Sequence, residues 1–210
     1  MHIVFSDLEG VFVPEIWINL AEKTGIEAFS LTTRDIPDYN ELMNYRLEQM
    51  RKSSLTIHDI HDVVSRMKPL AGAKPFLDWL RSVTQIIVLS DTFVEFTAPL
   101  MVQLNFPTLL CHTLSTDAKG RITAYHIRKE NAKKASVEAF RELNYETIAM
   151  GDSYNDTAML SVAHHGILFR PPENVAAEFP QFPVFQSYDD LRVIYTKLLG
   201  LSPTNKATGS

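Results

Sequence analysis

His2-Ile3-Val4-Phe5-Ser6-Asp7-Leu8-Glu9-Gly10 is the stretch on which the reading of the chain turns. Its apolar run has the length of a buried strand and ends in acids one residue apart. Alternate side chains of a strand share a face, so Asp7 and Glu9 can point to the same side. Gly10 permits a sharp turn where a side chain would be strained. Open α/β sheets bind their ligands at the carboxyl ends of strands, which is where these acids fall.

Working outward, residues 3–6, 86–90, 147–150 and 166–169 are apolar runs that predict buried strands. Between them, amphipathic patterns over 73–83, 93–105 and 133–143 predict helices. This alternation implies an α/β fold: a doubly wound, mostly parallel, Rossmann-like sheet with helices on both faces. Residues 114–127 break the rhythm, reading as two strands around Asp117-Ala118-Lys119-Gly120, a hairpin with an antiparallel extension. A larger break lies between Pro14 and Pro69, where helix-like segments near 15–23, 39–51 and 57–67 follow one another with no strand between them. A helical insert directly after the first strand would sit above that strand's carboxyl end. The expected organisation is an α/β core of residues 1–14 and 69–201, a helical cap of 15–68 and a polar, disordered tail of 202–210.

Composition narrows the function classes. With 45% hydrophobic and 21% charged residues, the 210-residue chain has an ordinary globular makeup. A net charge of -5 argues against a general nucleic-acid binder, which needs a basic face. Cys111 is the single cysteine, so no intrachain disulfide can form, and Pro107-Thr108-Leu109-Leu110-Cys111 reads as a buried strand holding a packed thiol. The first apolar run is too short for a signal peptide and is broken by Asp7. No stretch approaches the roughly 20 apolar residues of a membrane helix. These features point to a cytoplasmic protein with no membrane or nucleic-acid partner.

A second acidic group, Gly151-Asp152-Ser153-Tyr154-Asn155-Asp156, follows the run at 147–150 and precedes a helix-like segment at 157–163. Asp7 and Asp152 on neighbouring strand ends would make a concentrated oxygen site. Such acids repel one another unless a cation joins them, and magnesium takes one or two carboxylates and keeps several waters. In Ile87-Val88-Leu89-Ser90-Asp91-Thr92 a hydroxyl stands at a strand end before a helix. It fits an anion contact at a helix N-terminus or an ordinary N-cap. Lys133, Val137 and Phe140 fall at helical spacing on the apolar face, whereas Lys134, Glu138 and Arg141 share a charged stripe. A lysine on the inward face needs an anionic partner, so Lys133 is preferred over Lys134.

These pieces, in this order, resemble the haloacid dehalogenase superfamily of phosphohydrolases: Asp7-Leu8-Glu9-Gly10, Ser90, Lys133 and Gly151 to Asp156. Val13-Pro14-Glu15-Ile16-Trp17, Thr33-Arg34-Asp35-Ile36-Pro37-Asp38-Tyr39 and Leu89-Ser90-Asp91-Thr92-Phe93 are similar to its phosphoserine phosphatase branch. Asp-x-Glu in the first motif resembles the bacterial group that also transfers phosphate from phosphoserine to homoserine. The resemblance implies a magnesium-dependent enzyme hydrolysing O-phospho-L-serine through an aspartyl-phosphate, with homoserine as a second acceptor. It implies Asp7 as nucleophile and Glu9 as proton shuttle. The implied metal ligands are Asp7, Asp152 and the backbone carbonyl of Glu9, with Asp156 nearby. Glu15 would meet the substrate ammonium and Arg46 its carboxylate, while Ser90, Asp91, Lys133 and Asn155 line the substrate site. Another reading of Arg46 is a surface residue paired with Glu41 or Glu48. Alternative functions are a phosphatase of another small ester, such as a methionine-salvage intermediate, and a catalytically inactive binding relative. Glu9 is longer by a methylene than the usual aspartate, and Val11 stands where relatives carry a hydroxyl. His58, His61, His112, His126, His164 and His165 read as surface or core-edge residues.

Overall fold

Each apolar run becomes a strand whose alternate side chains feed opposite layers. In the computed structural model, which describes residues 1–32, 35–36 and 38–202, β1 (His2–Ser6) lies between the parallel strands β2 (Gln85–Phe93) and β5 (Glu146–Gly151). The described strands form one seven-stranded sheet in the order β4-β3-β2-β1-β5-β6-β7. Its flanks are β3 (Thr108–Thr116) and β4 (Ile122–His126) on one side, β6 (His165–Phe169) and β7 (Val184–Phe185) on the other. β4 pairs antiparallel with β3, and every other neighbouring pair in the sheet is parallel. The order reverses direction at β1, so the crevice beside its carboxyl end is the topological switch point.

Val4, Ile148 and Met150 face one layer, where they join Phe76 and Leu80 of α4 (Ala73–Val83) and Leu191 and Tyr195 of α9 (Tyr188–Leu198). Ile3, Phe5 and Ala149 face the other, with Val137 of α6 (Ala132–Glu142) and Met159 and Leu160 of α7 (Tyr154–Val162). The stretch after β1 is helical as expected: α1 (Ile16–Thr24), a 3-10 turn (Glu27–Ser30), α2 (Tyr39–Lys52) and α3 (Ile57–Val64). Asp38 caps α2 by accepting from the Glu41 amide at 2.8 Å, a contact of about 1 kcal/mol. α3 opens with a Thr56–Asp59 capping box. These helices have no separate core. Trp17, Leu20, Phe29, Met43, Leu47 and Ile60 belong to the same cluster as Val4.

The structure departs from the sequence reading at several places. β2 runs on to Phe93, with a register shift after Leu89, and α5 (Val94–Gln103) starts only at Val94. Ser90 therefore lies within an irregular strand rather than at a helix N-terminus. β3 is continuous through Cys111, whose thiol burial pushes up to about 12. The hairpin at 114–127 forms as read, with Gly120 at φ 75°. The short α8 (Glu173–Glu178), β7 and α9 were not individually legible, although Ser187 caps α9 by accepting from the Asp190 amide at 3.1 Å. Thr33, Arg34 and Pro37 of the insert motif, and all but Ser202 of the expected tail, lie outside the described residues. No described helix is long and apolar enough to cross a membrane.

Candidate active site

The chain leaves β1 as it reaches Asp7, whose amide still donates to the Met150 carbonyl at 3.0 Å. Residues 8–13 then wind into a tight loop, with the Phe12 and Val13 amides on the Leu8 carbonyl and the Gly10 amide on the Val13 carbonyl. Strand alternation thus does not place Glu9; the loop does. Gly10 adopts φ 73°, and a Cβ there would lie 2.4 Å from Asp152 Oδ2. Its lack of a side chain lets the loop bend and lets the first acidic motif touch the second.

Asp7, Asp152 and Asp156 each place an oxygen within 4.8 Å of the others. Lys133, in the first turn of α6, sends Nζ to Asp7 Oδ2 at 3.0 Å and Asp156 Oδ1 at 2.9 Å, with Asp91 Oδ2 at 3.7 Å. The other Asp156 oxygen accepts from the Asp152 amide at 3.0 Å and from the Ser153 amide and hydroxyl at 3.1 Å. Asp156 is fully buried and forms a capping box with Ser153 at the start of α7. A Cβ on Gly151 would fall 2.3 Å from its Cγ, so that position too is confined to glycine. Asp156 is consequently a brace, spent on Lys133 and the loop amides. Asp7 and Asp152 are the acids placed to reach an ion, and hard oxygen donors gathered so closely fit a divalent cation such as magnesium.

Electrostatics agree with that fit. Burial, then the Asp156 charge, raises the Asp7 pKa well above the carboxylate range, and Lys133 offsets only part of this. Burial, Asp156 and Glu15 push Asp152 up to about 7. Burial opposes the charge on Lys133, but Asp156, Asp7 and Asp91 prevail and hold its pKa above that of a free lysine. Lys134 instead points outward, 3.6 Å from Glu138.

A cavity of about 350 Å³ opens over these groups and brings Asp7, Glu9, Glu15, Arg46, Ser90, Asp91, Lys133, Asp152 and Asn155 to one wall system. Glu9 is not one of the three clustered acids, and its Oε1 is buried with no partner among the described residues. Burial and a hydrogen-bonded Glu15 raise its pKa well above the usual range. Arg46, on α2, is 7% exposed, and burial lowers its pKa to about 10. Its Nη2 donates to the Leu31 carbonyl at 2.6 Å, and its guanidinium lies 4.5 Å over the Trp17 ring. Its Nε has no acceptor among the described residues, an omission that costs about 1–3 kcal/mol in a buried donor unless a ligand supplies one. Among the described residues Arg46 makes no pair with Glu41 or Glu48; Glu48 pairs with Lys52 at 2.8 Å.

Some site residues escaped the sequence reading. The Tyr39 hydroxyl donates to the Asp91 carbonyl at 2.8 Å. His112 is not a surface or core-edge residue but 3% exposed, with Nδ1 accepting from the Arg128 amide and Nε2 3.7 Å from Asp91. Only the three-dimensional meeting of β2, β3 and α2 reveals these. The Asp156 brace did have a signal, since Ser153-x-x-Asp156 is a capping pattern.

A doubly wound sheet with acids on adjacent strand ends and a buried lysine between them defines a class, and the profile match agrees. The chain belongs to the haloacid dehalogenase-like hydrolase family, whose pattern matches residues 17–161. Among its relatives, phosphoserine phosphatase ThrH of Pseudomonas aeruginosa is 56% identical over 197 residues, spanning 94% of this chain and 96% of that protein. A phosphoserine phosphatase of Pseudomonas syringae pv. tomato is 54% identical over 197 residues, spanning 94% of this chain and 83% of that protein. A solved phospho-aspartyl intermediate analogue of phosphoserine phosphatase shares the fold at a TM-score of 0.75 and 20% identity, covering 93% of this chain and 98% of that one.

Proposed function

We propose that this chain is a magnesium-dependent phosphoserine phosphatase that also transfers the phosphoryl group to homoserine, acting in the cytoplasm. The observation that carries this reading is the polarity of one cavity. Strand-end acids and Lys133 lie at its floor, and an acid and an arginine, Glu15 and Arg46, stand on the insert side. A phosphorylated amino acid needs such an arrangement: phosphate at one end, ammonium and carboxylate at the other. In this reading residues 15–68 act as a cap that selects substrate, and the α/β core does the chemistry.

Asp7 attacks phosphorus and the serine oxygen departs, leaving the phosphoryl group on the Asp7 carboxylate. Glu9, whose pKa burial and Glu15 raise above the usual carboxylate range, gives its proton to the departing oxygen. It then takes a proton from the incoming water or homoserine hydroxyl as that oxygen attacks the aspartyl-phosphate. Ser90 and Lys133 hold the transferring oxygens while their charge redistributes. Asp7, Asp152 and the Glu9 carbonyl would hold magnesium, which supplies the charge neutralisation that lets an anionic carboxylate meet a phosphate monoester. Asp156 keeps Lys133 and the Asp152 loop in place.

The test is to incubate the protein with O-phospho-L-serine, magnesium and homoserine and to measure phosphate and phosphohomoserine together. Both products are expected, and chelation abolishes both. Asp7→Asn lowers turnover by on the order of 10⁴-fold or more. Robust turnover by that variant would remove Asp7 as nucleophile.

A further inference from the structure

We propose that Trp17 is the specificity-determining positioning residue of this site, holding Arg46 so that the cavity selects phosphate esters bearing a carboxylate. The inference rests on the phosphoserine reading and deepens it.

An arginine side chain is long and flexible, and its value in recognising a carboxylate lies in presenting a planar edge in one orientation. Here the plane is fixed from several directions. The indole of Trp17 covers one face at 4.5 Å, a cation–π contact. The Leu31 carbonyl takes Nη2 at 2.6 Å, and Met43 Sδ lies 3.9 Å from Nη1. What is left without an acceptor is Nε, buried in a residue that lines the cavity. A substrate carboxylate would supply that acceptor.

Trp17 can act as a fixed plate because two aromatic rings pack against it. Phe29 of the insert lies 5.5 Å from its ring, and Phe96 of α5 packs edge-on at 5.4 Å. The residue is 7% exposed and also lines the cavity. It therefore ties the orientation of Arg46 to the core as well as to the insert. The floor of the cavity, with Asp7 and Lys133, makes none of these contacts. Loss of Trp17 should weaken recognition of the carboxylate more than handling of the phosphate.

The experiment compares kcat and KM for O-phosphoserine and for O-phosphoethanolamine, which keeps phosphate and ammonium but lacks the carboxylate. The readout is the ratio of the two kcat/KM values in the wild type, Trp17→Leu, Trp17→Phe, Arg46→Ala and the Trp17→Leu/Arg46→Ala double variant. Trp17→Leu lowers the ratio roughly 10-fold, mainly through the KM for phosphoserine. Trp17→Phe keeps an aromatic face and recovers most of the ratio. In the Arg46→Ala background Trp17→Leu lowers it no further, because the indole acts through the guanidinium. An equal loss on both esters, leaving the ratio unmoved, overturns the inference, as does an additive double variant. Should Trp17→Leu fail to fold by circular dichroism, Trp17→Phe decides: a fall of about 2-fold in the ratio supports the inference and an unchanged ratio overturns it. A wild type that cleaves neither ester overturns the phosphoserine reading together with this one. A wild type that prefers phosphoserine, with Trp17→Leu keeping that preference, overturns this one alone.

Discussion

The floor of the cavity and its insert side solve opposite problems. On the floor the bracing groups are already spent: Asp156 accepts from Lys133 and from the Ser153 amide and hydroxyl, and Lys133 lies between acids. On the insert side Arg46 keeps an Nε without a partner among the described residues, and Glu15 stands exposed at the entry to α1. A saturated network holds catalytic groups still, while an unsatisfied one is an invitation to a ligand. In the proposed function the chemistry belongs to the first region and the choice of substrate to the second.

The sharpest way to break that contrast is to unsatisfy the floor. Asp156→Ala leaves Lys133 short of a carboxylate and the Asp152 and Ser153 amides without their acceptor. Removing one member of a buried ion pair costs about 3–5 kcal/mol, so a large drop in the denaturant midpoint is expected. Activity should fall with it even under conditions where the variant stays folded, because Lys133 and the Asp152 loop lose their brace. A variant with a near-wild-type midpoint would show that the floor is not a rigid element.

How much of this could be read from the residues differs between the same two regions. The floor was legible because its parts are local: each motif follows an apolar strand, and the strand order follows from the βαβ rhythm. Even there strand alternation alone misplaces Glu9, because the loop at 8–13, with its hydrogen bonds to the Leu8 and Val13 carbonyls, positions it. Lys133 was separated from Lys134 by helical phase alone, and α6 has that phase. The insert side was less legible. Arg46 and Trp17 lie far apart in the chain, and nothing in their spacing predicts a stacked pair at 4.5 Å. The burial of His112 is illegible for the same reason, since it comes from Tyr39 packing edge-on and Phe93 tilted against a ring in β3.

A smaller effect tests whether the floor's strain is the strain of a cation site. Asp152 titrates at about 7 in the folded chain against 3.8 for the free group. Across that interval the folded chain binds more protons than the unfolded one, so its stability falls as pH rises. This contribution is complete below 3.8 and is lost as pH passes about 7. Magnesium would relieve the repulsion that appears once the acids ionise. The rise in melting temperature on adding magnesium should therefore be larger at pH 8 than at pH 5. An equal rise at both, followed by thermal shift, would mean that the ion binds elsewhere.

The smallest effect is the most discriminating, because it sets neighbours against each other. Lys133 and Lys134 differ by about 100° around α6, enough to put one beside Asp7 and the other in an exposed pair with Glu138. Exposed pairs of this spacing contribute about 0.5 kcal/mol or less, because water and salt screen them and both side chains give up freedom. Lys134→Ala should leave kcat/KM for phosphoserine within about 2-fold and the denaturant midpoint almost unmoved, while Lys133→Ala removes activity. If Lys134 proved the damaging position, the phosphate would have to enter from the solvent face of α6. The buried contact of Lys133 with Asp7 and Asp156 would then be purely a matter of stability, and the division between a spent floor and an open insert side would fail at its central residue.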